Sequence, residues 1–212
     1  GGRRPDPVDG LASVRVDVTD PASVLRARDE VLADHPDLDL VVTMSGVMLV
    51  EDLLDPAHIT AAEATVATNL LGTIRVLDAF TPHLVARGAG AFVTVTSGIA
   101  FLPFPAMPTY AASKAGVHAY TEALRVQLAG TGVEVTELVP PAVATAGQET
   151  VNPAALPLDA FLDEVLDLLG RTPTPDEVLV QGVRMHRWAE RDGTYAELVA
   201  RRSQALETML GR

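Results

Sequence analysis

Cysteine is absent from this chain of 212 residues, which excludes disulfides, thiolate nucleophiles and zinc sites of the cysteine type. Aromatic residues make up only 4% of the chain, and the acidic excess gives a formal net charge of -12. Such a surface is a poor match for a phosphate backbone, because non-specific nucleic-acid binding needs clustered cations. We therefore expect no nucleic-acid partner.

Long apolar runs are also missing. No run reaches the ~18 residues that a membrane-spanning helix requires, and the N-terminal Gly1-Gly2-Arg3-Arg4-Pro5 lacks the apolar segment of a signal peptide. These absences predict a cytoplasmic protein with no membrane partner. The histidines show no metal-ligand spacing, so no metal site is expected. A hydrophobic content of 48% supports a sizeable core, and the length favours one domain over 1–212.

Lysine occurs once, among fifteen arginines. This residue, Lys114, follows Tyr110 by four positions, which is about one helical turn, so a helix would put the ammonium and the phenol on the same face. A phenol beside a cation is a candidate proton donor. The alternatives are a chance pairing or an ordinary surface charge. Because every other basic position except the histidines uses arginine, the pattern favours a functional ammonium at this site.

Short β-branched segments alternate with stretches of helical periodicity along the chain. Strands are predicted at Ser13–Val18, Leu38–Thr43, Ala91–Thr96, Val133–Val139 and Val178–Val183. Helices are predicted at Pro21–Asp34, Ile59–Ala86, Thr109–Ala129, Leu158–Leu169 and Arg187–Leu210. Strands with little polar alternation indicate a parallel sheet covered on both faces. The predicted fold is a Rossmann-like α/β protein: a doubly wound parallel sheet in three αβα layers.

The stretch 146–174 interrupts this alternation with two proline-containing turns, Asn152-Pro153 and Leu156-Pro157. An amphipathic segment, Leu158–Leu169, follows them. Two interpretations remain open for 146–174: an ordinary helix packed on the sheet, or a candidate substrate lid.

Candidate catalytic residues fall at the predicted strand ends, where ligands bind in an open parallel sheet. Ser97 follows one strand, and Tyr110 begins the next helix. A serine thirteen residues before a Tyr-x-x-x-Lys motif resembles the short-chain dehydrogenase/reductase family. The resemblance extends over nearly the whole chain: Asn69 of Asn69-Leu70-Leu71-Gly72 matches the family's catalytic asparagine, and Asp17 matches its adenine-contacting aspartate.

This resemblance implies an NAD(P)-dependent oxidoreductase that interconverts a carbonyl and a secondary alcohol. Tyr110 would transfer the proton, Ser97 would bond the substrate oxygen, and Asn69 would orient a water that reaches Lys114. Lys114 would hold the nicotinamide ribose and lower the pKa of the phenol. Moving that pKa from ~10 towards ~7 needs about 4 kcal/mol, near the Coulomb energy of a cation at ~4 Å in an effective dielectric of ~20.

The same resemblance implies the cofactor contacts. They are Arg3, Asp17, Val18, Ser45, Gly46, Tyr110, Lys114, Pro140, Val143 and Thr145. Two segments depart from the family's pattern: Pro140-Pro141 replaces proline-glycine, and Thr43-Met44-Ser45-Gly46 replaces asparagine-asparagine-alanine-glycine. The departures put side-chain contacts in doubt at these segments but leave backbone contacts plausible.

The family's glycine-rich Gly-x-x-x-Gly-x-Gly loop does not precede the Ser13 strand, so the first βαβ portion is expected to be missing from the chain. A cation at Arg3 favours the 2′-phosphate of NADP, with NAD also possible. A non-catalytic Rossmann-fold binding protein is the main alternative; an epimerase or dehydratase would need more chain. The expected partners are a small carbonyl or alcohol substrate and further copies of the chain, as a homodimer or homotetramer formed through the two long helices.

Overall fold

The structure is a computed structural model that describes residues 1–3, 9–145, 155–204 and 206–211. A four-stranded parallel sheet forms its centre, in the order β1-β2-β3-β6. These strands are β1 (Leu40–Thr43), β2 (Gly90–Val95), β3 (Val133–Val139) and β6 (Glu177–Leu179). A separate parallel pair contains β4 (Val143–Ala144) and β5 (Leu156–Pro157).

Helices connect the strands and cover the sheet. They are α1 (Pro21–Asp34), α2 (Ile59–Thr65), α3 (Gly72–Arg87), α4 (Pro108–Gln127), α5 (Leu158–Leu169), α6 (Arg184–Arg187), α7 (Tyr195–Ser203) and α8 (Leu206–Leu210). A π-helical turn, Val66–Leu71, joins α2 directly to α3. Within the described residues, every helix is too short or too polar to cross a bilayer.

Neighbouring residues of β2 show how the sheet is covered on both faces. Phe92 is fully buried with Leu77 and Leu84 of α3, whereas Val93 packs on the opposite face with Val165 of α5. Side chains alternate between the faces of a strand, so both layers of helices contribute to the core. Full burial of a side chain such as Phe92 stabilises the fold by about 2–3 kcal/mol. The three-layer parallel α/β fold is confirmed.

The predicted first strand, Ser13–Val18, is wrong as a member of the sheet. The structure shows one parallel bridge here, between Gly2 and Arg15. The Gly2 N–H donates to the carbonyl of Val14, and the Val16 N–H donates to the carbonyl of Gly2. A strand requires a repeated ladder of such bonds, which the described residues do not form here. An apolar cleft of about 240 Å³ separates this segment from β1.

The predicted C-terminal elements are also longer than the observed ones. After β6, residues Gln181–Val183 turn into a short 3-10 helix; Val183 is fully buried although it is not extended. In place of the predicted helix Arg187–Leu210, the structure has the shorter α7 and α8, and α6 ends at Arg187. Gly193 interrupts the predicted helix with φ of 70°, a left-handed conformation that ends a helix and is readily adopted by glycine.

The amphipathic helix predicted within 146–174 packs on the sheet as α5. Its residues Val165 and Leu168 are buried against Val178 and Val180 at the β6 side of the sheet. For Leu158–Leu169, this packing agrees with the first of the two interpretations, an ordinary helix packed on the sheet. Residues 146–154 lie outside the described residues, so the lid remains a prediction for them.

Candidate active site

The end of β2 brings two hydroxyl groups together. Ser97 lies just beyond the strand, and Tyr110 lies in the first turn of α4, which Pro108 begins. The hydroxyls of Ser97 and Tyr110 lie close enough for Ser97 to lower the pKa of the phenol. The Ser97 hydroxyl also accepts the N–H of Ile99 at 3.3 Å, which holds it at the start of the connecting loop. The predicted pairing of serine and phenol is therefore present in the structure.

Lys114 lies one turn along α4 and is 5% exposed. Its Nζ donates to the carbonyl of Val95 at 2.7 Å and lies 5.8 Å from the centre of the Tyr110 ring. Burial lowers the pKa of Lys114 from 10.5 to about 8, because a charged form is poorly solvated in the interior.

The expected lowering of the Tyr110 pKa by Lys114 remains a prediction for the site with its cofactor. Burial raises the pKa of Tyr110, and the hydrogen bond from Ser97 offsets part of that rise. The ammonium lies 5.8 Å from the ring centre and donates to the carbonyl of Val95.

Asn69 is fully buried within the π-helical turn. Its amide oxygen accepts the N–H of Val47 at 2.8 Å, and its amide nitrogen donates to the carbonyl of Val47 at 2.9 Å and to the hydroxyl of Ser113 at 3.2 Å. That hydroxyl donates to the carbonyl of Tyr110 at 2.8 Å. Asn69 thus ties the loop after β1 to the Tyr110 turn of α4. π-helical turns occur frequently at functional sites.

Other predicted cofactor contacts line the same edge of the sheet. Ser45 and Gly46 follow β1 and are exposed. Pro140 follows β3, and its carbonyl accepts the N–H of Gly98 at 3.0 Å, which fixes the loop after Ser97. Val143 lies in β4, where it pairs with β5, and the adjacent Thr145 is exposed.

The predicted adenine-side contacts lie near the start of α1. The carboxylate of Asp17 accepts the N–H and the hydroxyl of Thr19 at 2.9 and 2.7 Å. These bonds lower the pKa of Asp17, and the nearby charge of Arg3 lowers it further. Val18 is buried, and its carbonyl accepts a guanidinium N–H of Arg75 at 3.0 Å. Asp17 therefore takes part in a local turn, and its side chain lies close to Arg3.

The sequence-based prediction missed two buried carboxylates beside α4. Glu51 is 3% exposed and accepts the N–H and hydroxyl of Thr109, immediately before Tyr110. Glu137 is fully buried on β3 and bonds the side chains of Thr96 and His118. β3 carries two glutamates, the exposed Glu134 and the buried Glu137, so its sequence shows the charges but not which one is buried. Glu51 lies in a loop that carries no such signal.

A cluster of three potential ligand groups also lies near α4. His118, Glu122 and Glu177 place ligand atoms within 4.8 Å of one another. The carboxylate of Glu177 already accepts two guanidinium N–H bonds from Arg187, each at 2.8 Å. The guanidinium of Arg187 therefore supplies the positive charge at this carboxylate. The expectation that the protein has no metal site remains a prediction.

Comparison with known proteins agrees with the fold and the motifs. Residues 8–155 match the family model described as short chain dehydrogenase. An uncharacterized oxidoreductase, DltE, of Bacillus subtilis is 35% identical over 54% of this chain and 46% of its own length. An NADPH-dependent 1-acyldihydroxyacetone phosphate reductase of Schizosaccharomyces pombe is 30% identical over 91% of this chain and 64% of its own.

A crystal structure of a short chain dehydrogenase from Burkholderia cenocepacia in complex with NADP is 27% identical. It superposes with a TM-score of 0.75 over 88% of this chain and 77% of the other. The chain belongs to the short-chain dehydrogenase/reductase family. It spans 46% to 64% of the length of the two relatives compared above.

Proposed function

We propose that the complete protein is an NAD(P)-dependent oxidoreductase that interconverts a carbonyl and a secondary alcohol. The observation that carries this proposal is the proximity of the Ser97 and Tyr110 hydroxyls at the carboxyl end of β2. Two hydroxyl groups that converge on one point suit an oxygen atom that is a carbonyl in one direction and an alcohol in the other. Family membership supports the same chemistry.

Each residue of the site has a distinct proposed role. Tyr110 gives its proton to the substrate oxygen during reduction and takes it back during oxidation. Ser97 donates a second hydrogen bond to that oxygen. Lys114 lies behind the ring and contacts the cofactor ribose, while Asn69 holds the Tyr110 turn and orients a water towards Lys114. The nicotinamide, when bound, supplies or accepts the hydride.

The residues present fit the nicotinamide end of the cofactor. The loop after β1 leaves Ser45 and Gly46 exposed beside the site, and a Cβ built on Gly46 would contact nothing closer than Asn69 Oδ1 at 3.4 Å. The backbone there is open to a ligand. Pro140, Val143 and Thr145 border the same edge.

NADP is the proposed cofactor, with NAD as the alternative. Arg3 is exposed and close enough to Asp17 to lower the pKa of its carboxyl. A cation in this position suits a 2′-phosphate. The relative from Schizosaccharomyces pombe is named as NADPH-dependent, and the structure from Burkholderia cenocepacia contains NADP; both support this choice.

We propose a small or medium carbonyl or alcohol as substrate, apolar near the reacting carbon. The loop between Ser97 and Tyr110 carries Phe101 and Phe104, and the loop after β1 exposes Met48. These apolar groups would favour an apolar substituent. A homodimer or homotetramer in the cytoplasm remains our expectation for the assembly.

The proposal is tested on the full-length protein by fluorescence titration with NADPH and NADH, followed by turnover of a carbonyl panel. Tyr110→Phe removes the proton donor; we expect it to fold and bind cofactor but to lose about 10²- to 10⁴-fold in kcat. Tyr120→Phe is the matched control: it lies on the same helix, and its hydroxyl donates to Asp78 at 3.2 Å. This control should retain activity.

The outcomes separate the proposal from its rival. Binding of NADPH with carbonyl turnover that Tyr110→Phe abolishes supports the oxidoreductase. Binding without turnover of any carbonyl or alcohol would favour a non-catalytic Rossmann-fold protein. Turnover that survives in Tyr110→Phe would assign the proton to another group.

A further inference from the structure

Glu137 occupies an unusual position for a carboxylate. It lies in the third strand of a four-stranded sheet, between Thr94 of β2 and Glu177 of β6, and its exposed fraction is zero. One oxygen accepts the hydroxyl of Thr96 at 2.5 Å, and the other accepts the Nδ1–H of His118 at 2.7 Å. A buried carboxylate is costly unless both oxygens are bonded. The two bonds reach two different elements, β2 and α4.

The two partners of Glu137 adjoin the residues of the active site. Thr96 immediately precedes Ser97, and His118 lies one turn beyond Lys114 on the same face of α4. Three consecutive residues at the end of β2 therefore bind one face of α4. The carbonyl of Val95 binds Lys114, the hydroxyl of Thr96 reaches His118 through Glu137, and the hydroxyl of Ser97 bonds Tyr110.

Other charged groups surround His118. Its Nε2 lies 3.7 Å from Glu122 on the same helix, and Glu177 of β6, which is paired with Arg187 of α6, adds to the local field. The edge of the Phe101 ring packs against the imidazole, with ring centres 4.8 Å apart. Of the three carboxylates near His118, Glu137 is the one that also bonds Thr96 at the end of β2.

We propose that Glu137 is a positioning residue for the Ser97–Tyr110 hydroxyl pair, holding the end of β2 against α4 through Thr96 and His118. The proposal rests on the proposed function for its effect on turnover, but its effect on the hydroxyl pair is independent of any activity. Loss of the bond between Thr96 and Glu137 lets the Ser97 hydroxyl move relative to the phenol. Because the Ser97 hydrogen bond lowers the pKa of Tyr110, a looser pair raises that pKa.

The experiment compares Glu137→Gln and Thr96→Val with the wild type in the full-length protein. The pKa of Tyr110 is followed by NMR of ¹³C-labelled tyrosine, with the resonance assigned from Tyr110→Phe, and kcat and KM are measured for carbonyl reduction. Ser97→Ala gives the limit of complete loss of the hydrogen bond.

Two further variants separate position from stability. Thr96→Ser keeps the hydroxyl donor and should behave as the wild type. Thr94→Val removes a buried hydrogen bond of 2.8 Å to Thr121. Thr94 lies opposite Glu137 in the sheet, but its hydroxyl bonds Thr121 and not the carboxylate. It should lower stability while leaving the Tyr110 pKa and kcat unchanged.

We expect Glu137→Gln and Thr96→Val to raise the pKa of Tyr110 by about 0.5 to 1 pH unit, towards the value in Ser97→Ala. They should lower kcat by about tenfold, while the KM for the nicotinamide cofactor changes by less than about twofold. We expect kcat to change and the cofactor KM to stay nearly constant because the hydroxyl pair acts on the substrate oxygen rather than on cofactor affinity.

An unchanged Tyr110 pKa and kcat, with only a lower unfolding midpoint, would show that Glu137 is merely structural and would overturn the proposal. If Glu137→Gln does not fold, Thr96→Val and its Thr96→Ser control decide the question. If the wild type turns over no carbonyl, the proposed function fails, and the Tyr110 titration alone decides whether Glu137 positions the pair.

Discussion

Replacing Lys114 by methionine is expected to change the pH dependence of stability in a defined way. The ammonium is 5% exposed, and burial lowers its pKa from 10.5 to about 8. A shift of this size corresponds to about 3 kcal/mol of lost folding stability while the lysine stays protonated. Methionine keeps an unbranched side chain and removes the charge.

At neutral pH two effects of Lys114→Met oppose each other. The variant is relieved of the buried charge, but it leaves the carbonyl of Val95 without the bond from Nζ, which costs about 1–3 kcal/mol. We therefore expect the variant to be equal to the wild type or up to about 2 kcal/mol more stable at pH 7. The pH dependence of the difference is the decisive quantity.

The sign follows from proton binding. Between about pH 8 and 10.5 the folded lysine has lost its proton while the unfolded lysine retains it, so the unfolded state binds more protons and the wild type gains stability as the pH rises. Over this window the difference should move by about 3 kcal/mol in favour of the wild type. Below pH 8 it should level off.

The assay is urea unfolding of the full-length protein and its Lys114→Met variant at several pH values from neutral to 10.5. Both proteins also carry Tyr110→Phe in a parallel series, because burial raises the pKa of Tyr110 and its phenol would titrate at the upper end of the range. A stability difference that does not vary with pH would refute the reasoning. It would mean that water reaches the ammonium and that its pKa is ordinary.

Two further predictions concern the supports of α4 and β3. Glu137 raises the pKa of His118 above 6.5, first by its hydrogen bond and second by its charge. The stabilisation from this contact is complete below pH 6.5 and is lost as the pH rises through the folded-state pKa. In urea unfolding, the stability of His118→Gln should therefore depend less on pH over this range than that of the wild type. Gly130 and Gly132 both have positive φ, but a Cβ on Gly132 would lie 2.0 Å from the carbonyl oxygen of Gly88, whereas Gly130 has nothing within 4 Å. Thermal unfolding should show a loss of about 1 kcal/mol for Gly130→Ala and about 3 kcal/mol or more for Gly132→Ala; equal losses would contradict the steric argument.

Periodicity predicted the central elements well, since it reports which residues are buried. Phe92 and Val93 are apolar neighbours in a short run, and the structure buries them on opposite faces of β2. The same signal failed at Val183, which is fully buried but lies in a 3-10 turn. Apolar residues predict burial, and an extended conformation depends on the neighbouring strand that supplies the ladder.

The candidate site was predictable in its chain positions but not in its side-chain directions. Ser97 and Tyr110 meet because a strand end and a helix start are joined by a short loop. The direction of Lys114 depends on the carbonyl of Val95, nineteen residues earlier in the chain. The π-helical turn around Asn69 likewise differs from an α-helix by one residue, which a hydrophobic pattern does not reveal.

One side of α4 carries hydrogen-bonding side chains that fix the position of this helix. A packed helix usually buries apolar side chains, but α4 places a row of polar groups along one side, and each has a partner outside α4. These residues are Thr109, Tyr110, Ser113, Lys114, His118 and Thr121, paired with Glu51, Ser97, Asn69, Val95, Glu137 and Thr94. Hydrogen bonds depend on direction more than apolar contacts do. The row therefore fixes the rotation and height of α4 more narrowly than an apolar face would, and a site that aligns two hydroxyls on one oxygen needs this accuracy.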